Sequence, residues 1–250
     1  MIYDHKEIVV QPRDYRSYED HDIFVSFRTI VETSDLYIKA LVNLEDKARQ
    51  FTVECRRQIQ DAIIRRQEFL TSFRPIASDS RDHPVAYRMI EAARKAGVGP
   101  MAAVAGAVAE FVGRSLMPFT PEVIVENGGD IFICAKRPIL VGINAGESAF
   151  TGKLGIRIGP TGIPIGVCTS SATVGPSTSL GKADAATVIA YDVSLADAVA
   201  TGMGNLVKTE MDLKPAVQWA IGIEGVISAL TIIGDKIAVA GNIELAPIAQ

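Results

Sequence analysis

The chain has 250 residues, 48% of them hydrophobic and 22% charged, with a formal charge of −4 at pH 7. These values exclude a mainly disordered polypeptide, which needs low hydrophobicity and high net charge, and the acidic balance argues against a duplex nucleic-acid binder, whose footprint is basic. Three cysteines, Cys55, Cys134 and Cys168, cannot all pair and form no CxxC, so a disulfide scaffold and a cysteine-only zinc site are set aside and a cytoplasmic setting is expected.

The first twenty residues are dense in charge and show no apolar targeting core. The apolar stretch Val98–Val112 is interrupted by Glu110 and reads as too short to cross a bilayer. No glycine precedes Gly97, and residues 1–96 hold 32 of the 54 charged residues. That contrast admits a domain boundary. The lack of a linker rich in Pro, Gly or Ser favours one domain over 1–250, with a charged helical part (1–96) and a glycine-rich sheet part (97–250).

In chain order, Ile23–Val31 is β-branched and aromatic, residues 32–35 form a turn, and Leu36–Val42 returns as a second strand. Residues 44–73 read as one long amphipathic helix, because Leu44, Ala48, Phe51, Cys55, Ile59, Ala62, Ile63, Phe69, Leu70 and Phe73 recur mostly at three- and four-residue steps. Pro75 ends it. Asp82 and Pro84 open another helix that closes at Gly97, and Pro100 opens a third running to Leu116. Glu122–Ala135 reads as strand, turn at Asn127-Gly128-Gly129-Asp130, strand; Ile139–Ile143 is a further strand. Gly152–Gly181 mixes short strands and loops. Ala185–Tyr191 is a strand, Ser194–Val207 a helix capped by Ser194, and 226–233 with 236–243 a hairpin about Gly234-Asp235. The fold class is α/β (α+β), with long helices on a largely antiparallel sheet.

Four patterns can carry chemistry. Asp197 and Thr201 are four apart, so they share one helical face. A carboxylate and a hydroxyl are hard oxygen donors suited to Mg²⁺, although an acid in the first turn also simply favours the helix dipole. Gly128, Gly129 and Asp130 between strands let backbone N–H groups approach a phosphate or ring, and they equally form a ligand-free hairpin turn. Thr169, Ser170 and Ser171 begin a loop dense in hydroxyls, and Lys182 at its far end can offset phosphate charge. Cys168 stands just before that loop, where a strand end facing a pocket would make it the most reactive thiol. Finally, Gly97-Val98-Gly99-Pro100 is a glycine turn entering a helix, but a helix rather than a strand precedes it, which rejects a dinucleotide fingerprint.

Together and in this order, these patterns resemble the ApbE-like superfamily, the Mg²⁺-dependent flavin transferases that move FMN from FAD onto a protein threonine. The similarity covers roughly residues 97–207 and is nearest to a shorter branch. Ala196-Asp197-Ala198-Val199-Ala200-Thr201 is its most specific part. The resemblance implies Mg²⁺ and FAD or FMN as cofactors, with Asp197 and Thr201 on the metal. It also implies the Gly128–Asp130 turn, Thr169–Ser171 and Lys182 around the flavin nucleotide.

Two departures bear on activity. The transferases have a Lys-Gly turn where this chain has Pro100 and Met101 after Gly99, and a histidine segment ending in Asp-Pro where Thr178–Asp184 has neither. The expected function is therefore a binder of a flavin, nucleotide or other phosphate-containing ligand with Mg²⁺. The alternatives are an Mg²⁺-dependent FAD:protein FMN transferase, a sulfur-handling protein using Cys168, and an interaction protein docking a partner on its long helix. A small anionic or flavin-type ligand is the expected partner, with no nucleic acid and no membrane. A homo-oligomer is expected from the general prevalence of symmetric assemblies.

Overall fold

The computed structural model describes residues 23–174 and 180–248, so residues 175–179 of the hydroxyl-rich loop lie outside the described residues. The first strands, β1 (Val25–Val31) and β2 (Ser34–Ala40), form a hairpin with a two-residue turn at Glu32 and Thr33. The turn is shorter than the sequence reading because Ser34 and Asp35 pair with Val31 and Ile30, and Arg28 forks onto the Asp35 carboxylate at 2.7 Å. Glu32 takes a left-handed φ of 52°, and Arg56 of the next helix holds its carboxylate.

The expected single helix over 44–73 is two: α1 (Glu45–Arg65) and α2 (Gln67–Thr71). Arg66 between them is extended, at φ −143° and ψ 101°. Its guanidinium reaches both Asp82 oxygens, at 2.7 and 2.8 Å, and the Ala77 carbonyl at 2.7 Å. A charged partner sixteen residues away thus overrides the apolar period. Helix α3 (Pro84–Ala96) starts at its proline and ends on Gly97, left-handed at φ 69°. A short 3₁₀ turn over Pro100–Ala103 leads into α4 (Val104–Leu116). The helical run Pro100–Phe119 has 20 residues and is long and apolar enough to cross a membrane, which corrects the expectation from length. Half of it is buried within the protein, and α4 sits between helices and sheet as a core element.

The remaining strands are β3 (Val123–Asn127), β4 (Asp130–Cys134), β5 (Ile139–Gly142), β6 (Leu154–Ile158), β7 (Ile165–Ser170) and β8 (Ala185–Ala190). Helices α5 (Val193–Leu206) and α6 (Leu213–Ile221) follow, then β9 (Val226–Ile233), β10 (Lys236–Gly241) and β11 (Glu244–Pro247). The antiparallel order β1-β2-β3-β4-β7-β8-β9-β10 makes one eight-stranded sheet, and β11-β6-β5 a second of three strands. The pairing of β2 with β3 carries the sheet across the compositional change at residues 96–97.

Period-two alternation divides the core. Val123, Val125, Phe132, Cys168, Ala186 and Val188 point to the helices, while Ile124, Ile133, Val167, Ala185 and Ile189 point to the small sheet. On the helical side α4 crosses α5 closely. A Cβ on Gly106 would stand 2.5 Å from the Val193 carbonyl oxygen and 2.8 Å from the Asp197 Cβ. Gly106→Ala is therefore expected to destabilise, although alanine is the better helix former. Overpacking costs about 1–3 kcal/mol, or about 2–4 °C of Tm per kcal/mol in a chain of this size. A thermal melt that is unchanged or raised contradicts the close crossing.

Candidate functional site

The site lies at one end of the large sheet, where the β3–β4 turn meets the start of α4 and the middle of α5. Asn127 donates from Nδ2 to the Ala105 carbonyl at 3.1 Å, tying turn to helix. Gly128 is left-handed at φ 70°, as a tight two-residue hairpin requires. The close approach at Gly129 is to protein. Its carbonyl accepts from Thr169 N–H at 2.9 Å, and a Cβ there would be 2.7 Å from the Thr169 carbonyl oxygen.

Asp130, first in β4, alternates with Ile131 and so faces the helices beside Phe132 and Cys134. It is 8% exposed, and its Oδ1 has no hydrogen-bond partner. Burial, joined by the nearby Glu126 charge, pushes its carboxyl up to about 7. Asp197, also 8% exposed, accepts from the Gly106 N–H at 2.8 Å through Oδ2. Its carboxyl is pushed well up by burial and then by the Asp130 charge. The Asp130 charge thus adds to burial in opposing ionisation of the Asp197 carboxyl in the protein interior.

Thr201, one turn beyond Asp197, is half-buried, and Ser170 lies against Gly204 a turn further along α5. Asp130, Asp197, Thr201 and Ser170 are therefore arranged along the helical face of one sheet end. Other residues named from sequence go elsewhere. Thr169 alternates to the opposite face, where its hydroxyl pairs with Thr187 at 2.9 Å. The Ser171 hydroxyl caps its own loop, accepting from Thr173 and Val174 N–H at 3.0 Å. The Lys182 side chain is exposed, and its backbone N–H donates to the Val207 carbonyl at 2.8 Å.

Two expectations are corrected. Ser194 does not cap α5; Asp192 does, accepting from Leu195 N–H at 2.8 Å. Cys168 is not a cleft thiol. It is fully buried, its Sγ lies 3.5 Å from the Val193 carbonyl oxygen, and burial followed by the Asp130 and Asp197 charges raises it well above a normal thiol. A thiol held protonated in this way is a poor nucleophile, which removes the basis for a sulfur-handling role. Sequence reasoning missed Glu110, which is 2% exposed and accepts from both α4 and α5. Its break in an apolar helix pattern was the available signal.

Among the described residues, no group of three or more His, Cys, Asp or Glu is placed to hold a metal. Mg²⁺ does not require one, since it is commonly held by one or two carboxylates with waters and phosphate oxygens. The unpartnered Asp130 oxygen and the opposed Asp197 carboxylate fit that donor set, with Thr201 as a further hard oxygen.

The buried carboxyl fixes a pH dependence. The folded Asp130 carboxyl sits near 7, above the ordinary carboxylate range, so the fold holds a proton that the unfolded chain releases. That contribution is fully present below the ordinary range, about pH 4, and is lost as pH rises through about 7. With a chelator present, denaturant melts should show stability falling from pH 5 to pH 8, and Asp130→Asn should lessen the fall, leaving the share that the raised Asp197 carboxyl contributes, and stabilise most at pH 8. Parallel profiles for the two proteins contradict the buried acid.

Comparison with known proteins agrees with the fold. The family model described as AbpE bacteria matches residues 16–221. A UPF0280 protein of Methanocella arvoryzae is 43% identical over 189 residues, which are 75% of this chain and 77% of that protein. Another, of Archaeoglobus fulgidus, is 38% identical over 196 residues, 76% of this chain and 80% of that protein. Among solved structures, the flavin transferase ApbE from Vibrio cholerae is similar with a TM-score of 0.55 at 12% identity, covering 87% of this chain and 96% of that one. The apo flavinyl transferase ApbE of Pseudomonas stutzeri gives 0.54 at 12% identity, covering 87% and 94%. At that identity the structures establish the shared fold, and with the family match over most of its length the chain belongs to the ApbE family, in the short branch of UPF0280 proteins.

Proposed function

We propose that the protein binds a flavin nucleotide, FAD or FMN, together with Mg²⁺, at the end of the sheet where Asp130 and Asp197 meet. The observation that carries this reading is the pair of buried carboxylates, one with an oxygen left unpartnered. Such a pair is costly without a counter-charge, and a divalent cation supplies one. Asp197 and Thr201 would hold the ion from α5, with Asp130 opposite. When bound, Mg²⁺ offsets the charge of the nucleotide's phosphate oxygens. The chain's own groups do the rest. Ser170 offers a hydroxyl beside α5, and Asn127 keeps the glycine turn against the start of α4.

FMN transfer is the finer question, and we read the chain as a weak transferase. Moving FMN onto a threonine requires removal of the hydroxyl proton, and a positioned base supplies about 10²–10⁴-fold. Among the described residues the one histidine is His83, 3.2 Å from Asp61 on α1. Pro100 opens the 3₁₀ turn where the transferases carry lysine.

Thermal melts test the binding. FAD and Mg²⁺ together are expected to raise Tm more than either alone, since a ligand at a hundredfold excess over Kd adds about 2.7 kcal/mol. Asp197→Asn keeps an oxygen for the Gly106 N–H but loses the charge, so it should stay folded and lose the Mg²⁺-dependent part of the shift. No shift with FAD, FMN or ADP, with or without metal, or an equal shift in Asp197→Asn, contradicts the proposal.

A further inference from the structure

Glu110 is a buried carboxylate whose two oxygens accept hydrogen bonds from donors of different elements. Oε1 accepts from Arg88 Nη1 of α3 at 3.0 Å and from Arg114 Nε of α4 at 2.7 Å. Oε2 accepts from the first backbone N–H groups of α5, Val193 at 3.1 Å and Ser194 at 3.4 Å, and from the Ser194 hydroxyl at 3.4 Å. An acid of α4 therefore caps α5 from outside that helix. One turn away the reverse holds, because Asp197 of α5 caps α4 at Gly106 N–H. Gly106 and Glu110 are one turn apart on α4, as Val193 and Asp197 are on α5, so both links flank one helix crossing.

We propose that Glu110 is the positioning residue of the site: by fixing the start of α5 against α4, it sets where the Asp197 carboxylate stands. Every group hydrogen-bonded to Glu110 is a donor, so only a carboxylate satisfies them all, and Arg88 offsets the like charge of the nearby Asp192. In Glu110→Gln, one side of the amide must present N–H to donors, whichever way it is turned. The α5 N-terminus is then free to withdraw along the crossing, and Asp197 withdraws with it. Arg88 contributes from the half-exposed side, where it also reaches Asp192, the cap of α5, at 3.6 Å. The significance for ligand binding rests on the flavin and Mg²⁺ reading; the mechanical claim does not.

Amide hydrogen exchange resolved by residue separates the two. In Glu110→Gln, the Gly106 amide should exchange about tenfold faster relative to β8 amides such as Val188, because its acceptor has moved. Uniform destabilisation would accelerate both alike. Arg88→Met, which leaves Glu110 on α5, should show a smaller selective acceleration and carries the test if Glu110→Gln does not fold. The affinity for FAD with Mg²⁺ should fall about tenfold in the variants by titration. Gly106 protection that tracks Val188 in every folded variant overturns the proposal. Selective loss at Gly106, with no binding by the wild-type protein, upholds the positioning role and rejects the ligand reading.

Discussion

The architecture depends on an exchange of carboxylates between two helices. Asp197 of α5 caps α4, and Glu110 of α4 caps α5. Each acid sits where backbone N–H groups lack internal partners and the helix dipole favours negative charge. The exchange is possible only because Gly106 lets the backbones meet; any larger residue would drive its Cβ into the Val193 carbonyl. Buried charge is expensive unless fully bonded, and Glu110, with two arginines and two amides, meets that condition.

Asp197 meets it only in part. One of its oxygens is committed to α4, while the carboxylate also faces Asp130, whose Oδ1 has no partner. The fold thus closes the helix crossing with Glu110 and Asp197 and leaves Asp197 also under the charge of Asp130. On the proposed reading, that asymmetry is what marks this end of the sheet as the ligand site. It also helps hold the fully buried Cys168 thiol protonated, although a hydroxyl-rich loop follows it in sequence.

Much of this was legible in the sequence, for physical reasons. Hairpins follow from β-branched runs around short turns, α3 from Pro84 and Gly97, and the Asp197–Thr201 face from spacing alone. What was not legible depends on distant partners. The break at Arg66 answers to Asp82, sixteen residues further on. Strand parity decides which side of the sheet a residue faces, and it sends Cys168 to the helices and Thr169 away from them. Glu110 meets α5 across 83 residues of sequence, a separation no local period encodes.

Family membership fixes the fold and leaves the chemistry to the chain's own residues. The turn before α4 carries proline, and the acids between α4, α5 and β4 carry the charge of the site. The most direct test of that account is anomalous diffraction from crystals soaked with Mn²⁺ and FAD, manganese standing in for magnesium. The account predicts a single strong peak bonded to the Asp197 carboxylate, with Asp130 opposite it. Bound flavin with no peak at Asp197, and Asp197 still bonded only to backbone at the start of α4, would contradict it.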